Sequence, residues 1–200
     1  MILEGIVTTR NEDGGVNVAP MGPRVEPAMN RFVLRPFRTS TTYRNLKALG
    51  EGVFHVTDDV VLLARSAIGV VDDAPAEPAA LVRGGVLSGA CRFYEFRVTD
   101  VDDREDRVSF SCHTLYRKTI REFFGFNRAK HAVLETAILA TRVHFFPTDQ
   151  ITPELERHRV IVGKTGGPDE TLAFQILQDY IISVARLRDP GRDGSACRPA

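Results

Sequence analysis

Apolar and polar residues alternate through the first third of the chain. Residues 2–9 read as a strand, Asn11-Glu12-Asp13-Gly14-Gly15 has tight-turn composition, and 16–19 form a second short strand that Pro20-Met21-Gly22-Pro23 should stop. Residues 31–35 give a third strand, ended by Pro36, and the three fit a meander. Ser40 or Thr41 then has the side chain of a helix N-cap. Tyr43, Leu46 and Leu49 recur at helical spacing, and Gly50 or Gly52 closes that helix. A strand over 52–57 and a short helix over 60–68, capped by Asp58 or Asp59, follow. Residues 72–78 read as a polar, proline-containing surface loop and Gly84-Gly85 as a bend. Two longer strands, 92–98 and 107–113, flank a charged hairpin tip at Asp102-Asp103-Arg104-Glu105-Asp106.

The period changes in the last third. Over 128–142, Ala129, Ala132, Val133, Ala137 and Ala140 share one helical face. Thr152-Pro153 reads as a cap followed by proline at the first helical position, and Gly166-Gly167-Pro168 breaks that helix. Residues 172–187 form a final helix with Ala173, Leu177, Tyr180, Ile181 and Val184 as its apolar stripe. Strands first and helices last argue an α+β fold, an antiparallel barrel with short inserted helices and a C-terminal helical extension. The expected organisation is a barrel over 1–122, helices over 123–188 packed on it, and a loose tail rich in Gly, Pro and Arg over 189–200.

Composition narrows the partners. The chain has 200 residues, 43% hydrophobic and 26% charged, enough to bury a core unaided. Lys plus Arg and Asp plus Glu are 26 each, so charge gives no ground for a nucleic-acid or membrane partner. No apolar run approaches the roughly 18 residues that span a bilayer. The first residues lack a charged-then-apolar leader, so a cytoplasmic location is expected. Cys91, Cys112 and Cys197 form neither a CxxC pair nor a disulfide framework, and the first two are expected as small core residues. Neither the GxGxxG nor the P-loop glycine pattern is present.

Two segments carry candidate chemistry. Arg35-Pro36-Phe37-Arg38-Thr39-Ser40-Thr41-Thr42-Tyr43-Arg44-Asn45 places arginines and four consecutive hydroxyl residues at a helix start. Helix N-termini offer unpaired N–H groups and partial positive charge, to which hydroxyls and guanidinium forks add donors. That set suits a phosphate monoester, or serves simply as an N-cap with spare polar residues. Asn17-Val18-Ala19-Pro20-Met21-Gly22 is a strand end whose small residues, Val18, Ala19 and Gly22, permit a flat ligand to approach the backbone. His131 and Glu135, one helical turn apart, lack a third ligand and read as an exposed pair, and no metal is expected. Cys112 and His113 are adjacent on a strand and face opposite ways, which excludes a nucleophile pair. Asn127, Arg128 and Lys130 open a helix and either face an anion or are solvated. Phe123, Phe124 and Phe126 are expected in the core.

In order along the chain, Asn17-Val18-Ala19-Pro20, Thr42-Tyr43-Arg44-Asn45 and Gly52-Val53-Phe54-His55-Val56 resemble the motifs of the flavin-reductase-like branch of the FMN-binding split-barrel proteins. The Arg35 to Tyr43 run and the segment from Gly125 to Val133 are most similar to a sub-branch of unassigned function. The resemblance spans residues 1 to about 188, with one departure: Met21-Gly22 stands where the common motif has a serine. It implies a six-stranded antiparallel split β-barrel that forms a homodimer with FMN at the subunit interface. It also implies an oxidoreductase acting with a small-molecule electron donor or acceptor; a non-catalytic flavin carrier or sensor is the alternative. A barrel that has lost its ligand is a third reading. The residues implied at the cofactor are Asn17, Val18, Ala19, Pro20 and Met21 for the ring, Arg35, Thr39, Ser40, Thr41 and Thr42 for the phosphate, with Asn45 bracing the loop and Asn127 nearby. Arg38 is the second choice for the charged partner.

Overall fold

The computed structural model describes residues 1–71 and 74–188. They divide into two compact units, Met1–Gly125 and the residues from Phe126 on. The expected tail over 189–200, and Cys197 with it, lies outside the described residues.

The first unit contains β1 (Gly5–Arg10), β2 (Val16–Met21), β3 (Arg24–Val25), β4 (Arg31–Leu34), α1 (Thr41–Leu49) and β5 (Glu51–Val56). It continues with α2 (Val60–Ala67), β6 (Ala76–Pro78), β7 (Gly85–Leu87), β8 (Arg92–Asp102) and β9 (Ser109–Thr119). Seven strands form one antiparallel sheet in the order β2-β1-β5-β8-β9-β4-β3, and β6 pairs with β7. Six strands were expected. The count rises because the chain leaves the ladder at Gly22-Pro23, where proline has no N–H to give, and one long strand becomes two: β2 pairs with β1, and β3 with β4. Conversely, Pro20 does not stop β2, because an edge strand tolerates proline.

The sheet curls until its far edge meets the residues just ahead of β1. Ile2 bridges Arg24, and the Val25 N–H donates to the Met1 carbonyl at 2.9 Å. Register shifts between Glu95 and Phe96, and between Val98 and Asp100, add to the bend. Inside the curl, Val7, Leu34, Leu46, Phe54, Phe96 and Phe110 are buried. Phe32 meets the Phe96 ring edge-on at 5.2 Å. α1 begins at Ser40, whose Oγ accepts from the Tyr43 N–H at 3.1 Å, and ends at Gly50, where φ is 65°. Asp59 caps α2 by accepting from the Leu62 N–H at 2.9 Å.

On the outer face lies an arm made of β6 and β7. The expected loop over 72–78 therefore gives way to a strand at Ala76–Pro78, which pairs across to Gly85–Leu87; Asp72 and Asp73 lie outside the described residues. Four buried polar side chains fasten the arm. Thr8 Oγ1 donates to the Gly85 carbonyl at 2.6 Å, and His55 Nε2 accepts from the Leu87 N–H at 3.1 Å. Glu95 accepts from the N–H groups of Ala80 and Leu81 at 2.9 and 2.6 Å. Glu51 accepts from the Arg83 N–H and Nε at 3.0 and 2.7 Å. Val82 and Val86 pack with Val53 and Phe93 beneath.

The second unit is α3 (Arg128–Thr141), α4 (Thr148–Thr165) and α5 (Pro168–Arg188). The alanine-rich face of α3 is buried, as are Ala173, Phe174, Leu177 and Ile181 of α5. Small side chains on α3 let neighbouring helices approach closely. His158 of α4 bonds Thr136 Oγ1 at 3.0 Å, and Lys130 of α3 pairs with Glu170 of α5 at 2.9 Å. α4 starts earlier than expected, so Pro153 lies inside it rather than at its first position, leaving one i→i−4 bond unmade. No described helix is long and apolar enough to cross a membrane.

Candidate functional site

The β1–β2 register sets the two faces of the strand end. Asn17 lies opposite Thr9, Ala19 opposite Val7 and Met21 opposite Gly5, on the α1 side. Val18 and Pro20 take the other face, where Val18 packs with Ile6 and Leu87. The 17–21 segment thus divides its side chains between two faces. What it offers as a unit is the backbone on its outer edge, since β2 ends the sheet. Gly22 does not serve ligand approach. A Cβ there would stand 2.6 Å from the Glu4 carboxylate and 2.8 Å from Ile2, so the packing of the N-terminal residues needs the glycine.

Hydrogen bonds join this strand to the start of α1. Asn17 Nδ2 donates to Thr9 Oγ1 and to Thr42 Oγ1, both at 3.1 Å. Asn45 Nδ2 donates to Thr9 Oγ1 at 3.0 Å and to Asn11 Oδ1 at 2.8 Å. Thr9, Thr42 and Asn45 are buried. Two segments more than twenty residues apart in sequence are therefore held as one cluster.

The hydroxyl run wraps the first turn. Ser40 Oγ also donates to the Phe37 carbonyl at 2.8 Å, while Thr39 is exposed and Thr41 half-buried. The N–H groups of Thr41 and Thr42 fall in the first turn, which has no helical carbonyl to receive them. Arg44 turns back over this end, donating to the Thr39 carbonyl at 3.1 Å and to Thr41 Oγ1 at 2.9 Å. Arg44 is a member of this end that the hydroxyl run alone does not single out. Its place one turn beyond the cap was the available signal.

Arg35 follows β4. Its Nη2 pairs with Glu105 at 2.7 Å, whereas its Nε is buried and has no hydrogen-bond partner. That Nε, buried and without an acceptor beside a nitrogen that pairs with a carboxylate, fits an anionic group supplied from outside the chain. Arg38 is exposed and donates to the Asp103 carbonyl. Asn127 lies in the second unit. Its Oδ1 accepts from the Lys130 N–H at 3.0 Å, capping α3, and its Nδ2 donates to the Thr165 carbonyl at 3.2 Å.

The phenylalanines expected in the core are not there: Phe123, Phe124 and Phe126 are 46%, 79% and 96% exposed. They follow the end of β9, past the reach of the sheet's interior. The Phe124 backbone is nonetheless fixed, its N–H donating to Asp58 at 2.9 Å. Asp58 also pairs with Arg121, and these partners outweigh its burial and hold the carboxyl down at about 2. Cys91 donates to the same carboxylate at 3.6 Å, and burial pushes its thiol up. Cys112 is raised further by burial, so neither is poised as a nucleophile. Two cavities, of about 610 and 310 Å³, are lined by α2 with residues near Leu87 and by the arm with Arg10 and Val16; neither is lined by the Asn17–Thr42 cluster.

The fold of this chain is shared with solved flavin proteins. An FMN-bound protein from Methanosarcina mazei aligns with a TM-score of 0.77 at 23% identity, over 90% of this chain and 94% of its own. Flavoredoxin from Desulfovibrio vulgaris gives 0.51 at 11%, over 59% and 69%. The 2-nitrobenzoate 2-nitroreductase from Pseudomonas fluorescens gives 0.50 at 16%, over 58% and 64%. These likenesses show the fold: a curled antiparallel half-barrel sheet of the kind found in flavin-binding proteins. No curated protein matches the sequence. The model for "Protein of unknown function (DUF447) N-terminal domain" matches residues 3–121, and that for "Protein of unknown function (DUF447)" matches 127–179. The chain belongs to the DUF447 family.

Proposed function

We propose that this protein binds FMN and works as an oxidoreductase. One observation carries the reading: the buried, unpartnered Nε of Arg35 in the segment that leads into the hydroxyl-lined start of α1. The donor set fits a phosphate dianion. Arg35, Thr39, Ser40, Thr41 and Thr42 hold that group, Arg38 and Arg44 add positive charge, and Asn45 braces the loop by bonding Thr9 and Asn11. The outer edge of β2 over Asn17, Val18, Ala19, Pro20 and Met21 takes the ring, its backbone groups reading the ring's donors and acceptors. Bound FMN supplies the electron transfer, and the chain supplies position and electrostatics. The FMN-bound Methanosarcina protein of the same family supports the assignment. Asn127, spent on two bonds within its own unit, adds no weight to it.

A homodimer with FMN at the interface is part of the proposal. Leu115 and Tyr116 in the last part of β9 and Ile120, Phe123 and Phe124 after it are exposed apolar residues set among Arg117, Lys118, Arg121 and Glu122, beyond the stretch paired to β4. A second subunit would cover them.

Titration of apoprotein with FMN and riboflavin tests the reading, since only FMN carries the phosphate. A charge-assisted hydrogen bond is worth about 1.5–3 kcal/mol, so Arg35→Ala should weaken FMN binding roughly tenfold to a hundredfold and spare riboflavin. Equal losses for both ligands would make Arg35 a support of the fold instead. Oxidation of a reduced nicotinamide by the holoprotein separates an enzyme from a flavin carrier.

A further inference from the structure

The hairpin tip between β8 and β9 lies on Arg35 and Arg38 of the proposed phosphate subsite. Glu105 pairs with Arg35 at 2.7 Å. Asp103 stands 3.7 Å from Lys47 of α1, and its carbonyl receives the Arg38 guanidinium. The Arg38 backbone N–H donates to the Asp106 carbonyl at 3.4 Å. Arg104, the cation of the tip, is turned back on Asp102 at 2.6 Å and feels Glu105 only through space, with no hydrogen bond to it. Arg107, at the base of the tip, sits over the Phe37 ring at 4.1 Å.

Glu105 satisfies Arg35 only in part. It meets Nη2, while the neighbouring Nε on the same guanidinium edge is buried and unpartnered. The Glu105 side chain is 72% exposed against 26% for Arg35, so the carboxylate reaches the arginine from solvent and is free to withdraw. A phosphate monoester brings about two negative charges and three acceptor oxygens, enough for Nε and Nη2 together.

We infer that Glu105 is the specificity residue of the subsite, a carboxylate that occupies Arg35 in the free protein and is displaced by a phosphate monoester. This rests on the FMN reading above. Glu105 sets a threshold: a ligand must outcompete one carboxylate to gain the arginine. A flavin without phosphate gains nothing there, and a phosphate bound there is repelled by Glu105 until the tip moves aside.

The test is titration of apoprotein with FMN and riboflavin for wild type, Glu105→Gln, Arg35→Ala and the double variant, at low and moderate salt. Exposed charge pairs of this kind set the scale, so Glu105→Gln should tighten FMN binding about two- to fivefold and leave riboflavin unchanged. The gain should shrink as salt rises and vanish on the Arg35→Ala background. Weaker or unchanged FMN binding by Glu105→Gln, with Arg35→Ala still selectively weakening FMN, would overturn the inference and leave the phosphate subsite standing. Arg35→Ala without effect on FMN would overturn both. Far-UV circular dichroism confirms that each variant is folded, which an exposed Glu→Gln change should not disturb.

Discussion

His55 can be made to report on the sheet around it. The ring is fully buried between β1 and the arm, with Nδ1 3.2 Å from the Ile6 carbonyl and Nε2 receiving the Leu87 N–H. A nitrogen that accepts cannot carry a proton, so Nδ1 holds the hydrogen and the neutral ring is the bound form. Burial lowers the pKa from an ordinary 6.5 to about 4, with the Ile6 bond pulling slightly the other way. The unfolded chain therefore takes up a proton near pH 6.5, and the folded chain only near pH 4. Stability is complete above 6.5 and lost as pH falls through this window, by about 3 kcal/mol in all at ~1.36 kcal/mol per pH unit. Glu51 and Asp58, whose carboxyls are held low by Arg83 and Arg121 against their burial, add losses only below their ordinary values of 4.5 and 3.8. His158 is also lowered, chiefly by burial, but lies in the second unit. The assay must be local: hydrogen exchange of β1 and β5 amides from pH 7.5 to 4.5, converted to opening free energies. Wild type should lose most of the 3 kcal/mol across that range, and His55→Gln, which cannot titrate, should give a nearly flat profile. Parallel profiles, or an NMR titration placing His55 near pH 6.5, would refute the reasoning.

Other substitutions probe separate parts of the fold. Gly5→Ala places a Cβ 2.2 Å from the His55 carbonyl and 2.9 Å from the Phe54 ring; overpacking of about 1–3 kcal/mol or more should appear as a lower melting temperature. Asp58→Ala removes the carboxylate that holds both Arg121 and the Phe124 N–H, leaving Arg121 only carbonyl partners, so trypsin should cut after Arg121 faster than in wild type at neutral pH. Unchanged cleavage would mean that the clasp does not order the segment. Ser40→Ala removes the α1 cap at a cost of about 1 kcal/mol in a urea melt and should weaken FMN more than riboflavin.

What the sequence disclosed and what it hid follow from the range of the forces involved. Helix caps are local, so a few neighbours narrowed each to two candidates, Ser40 or Thr41, Asp58 or Asp59 and Gly50 or Gly52, of which the fold uses Ser40, Asp59 and Gly50. The buried stripes of α3 and α5 were readable from period. The seventh strand was not, because Gly22-Pro23 marks a break without saying that pairing resumes with a different neighbour. Nor was the arm. Ala76–Pro78 has no strand signature, and its path is set by Thr8, Glu51, His55 and Glu95, up to 77 residues away. In the candidate site, the hydroxyl run announced itself. The orphaned Arg35 Nε and the pairing with Glu105, 70 positions along, depend on how β9 lies beside β4.

The arm's hydrogen bonds to the sheet come from its main chain, apart from the Arg83 side chain on Glu51. Ala80, Leu81, Gly85 and Leu87 contribute N–H or C=O groups, and the side chains that meet them belong to the strands below. The instructions for the arm's course are thus written outside the arm. Leu81 is 55% exposed, so most side chains could replace it at little cost, whereas removing the carboxylate of Glu95, fourteen positions away, would take the acceptor from the N–H groups of both Ala80 and Leu81. Drift at the tip should therefore be fast and silent and drift in its sockets slow, which gives the family a place to trial new surface chemistry without renegotiating the barrel.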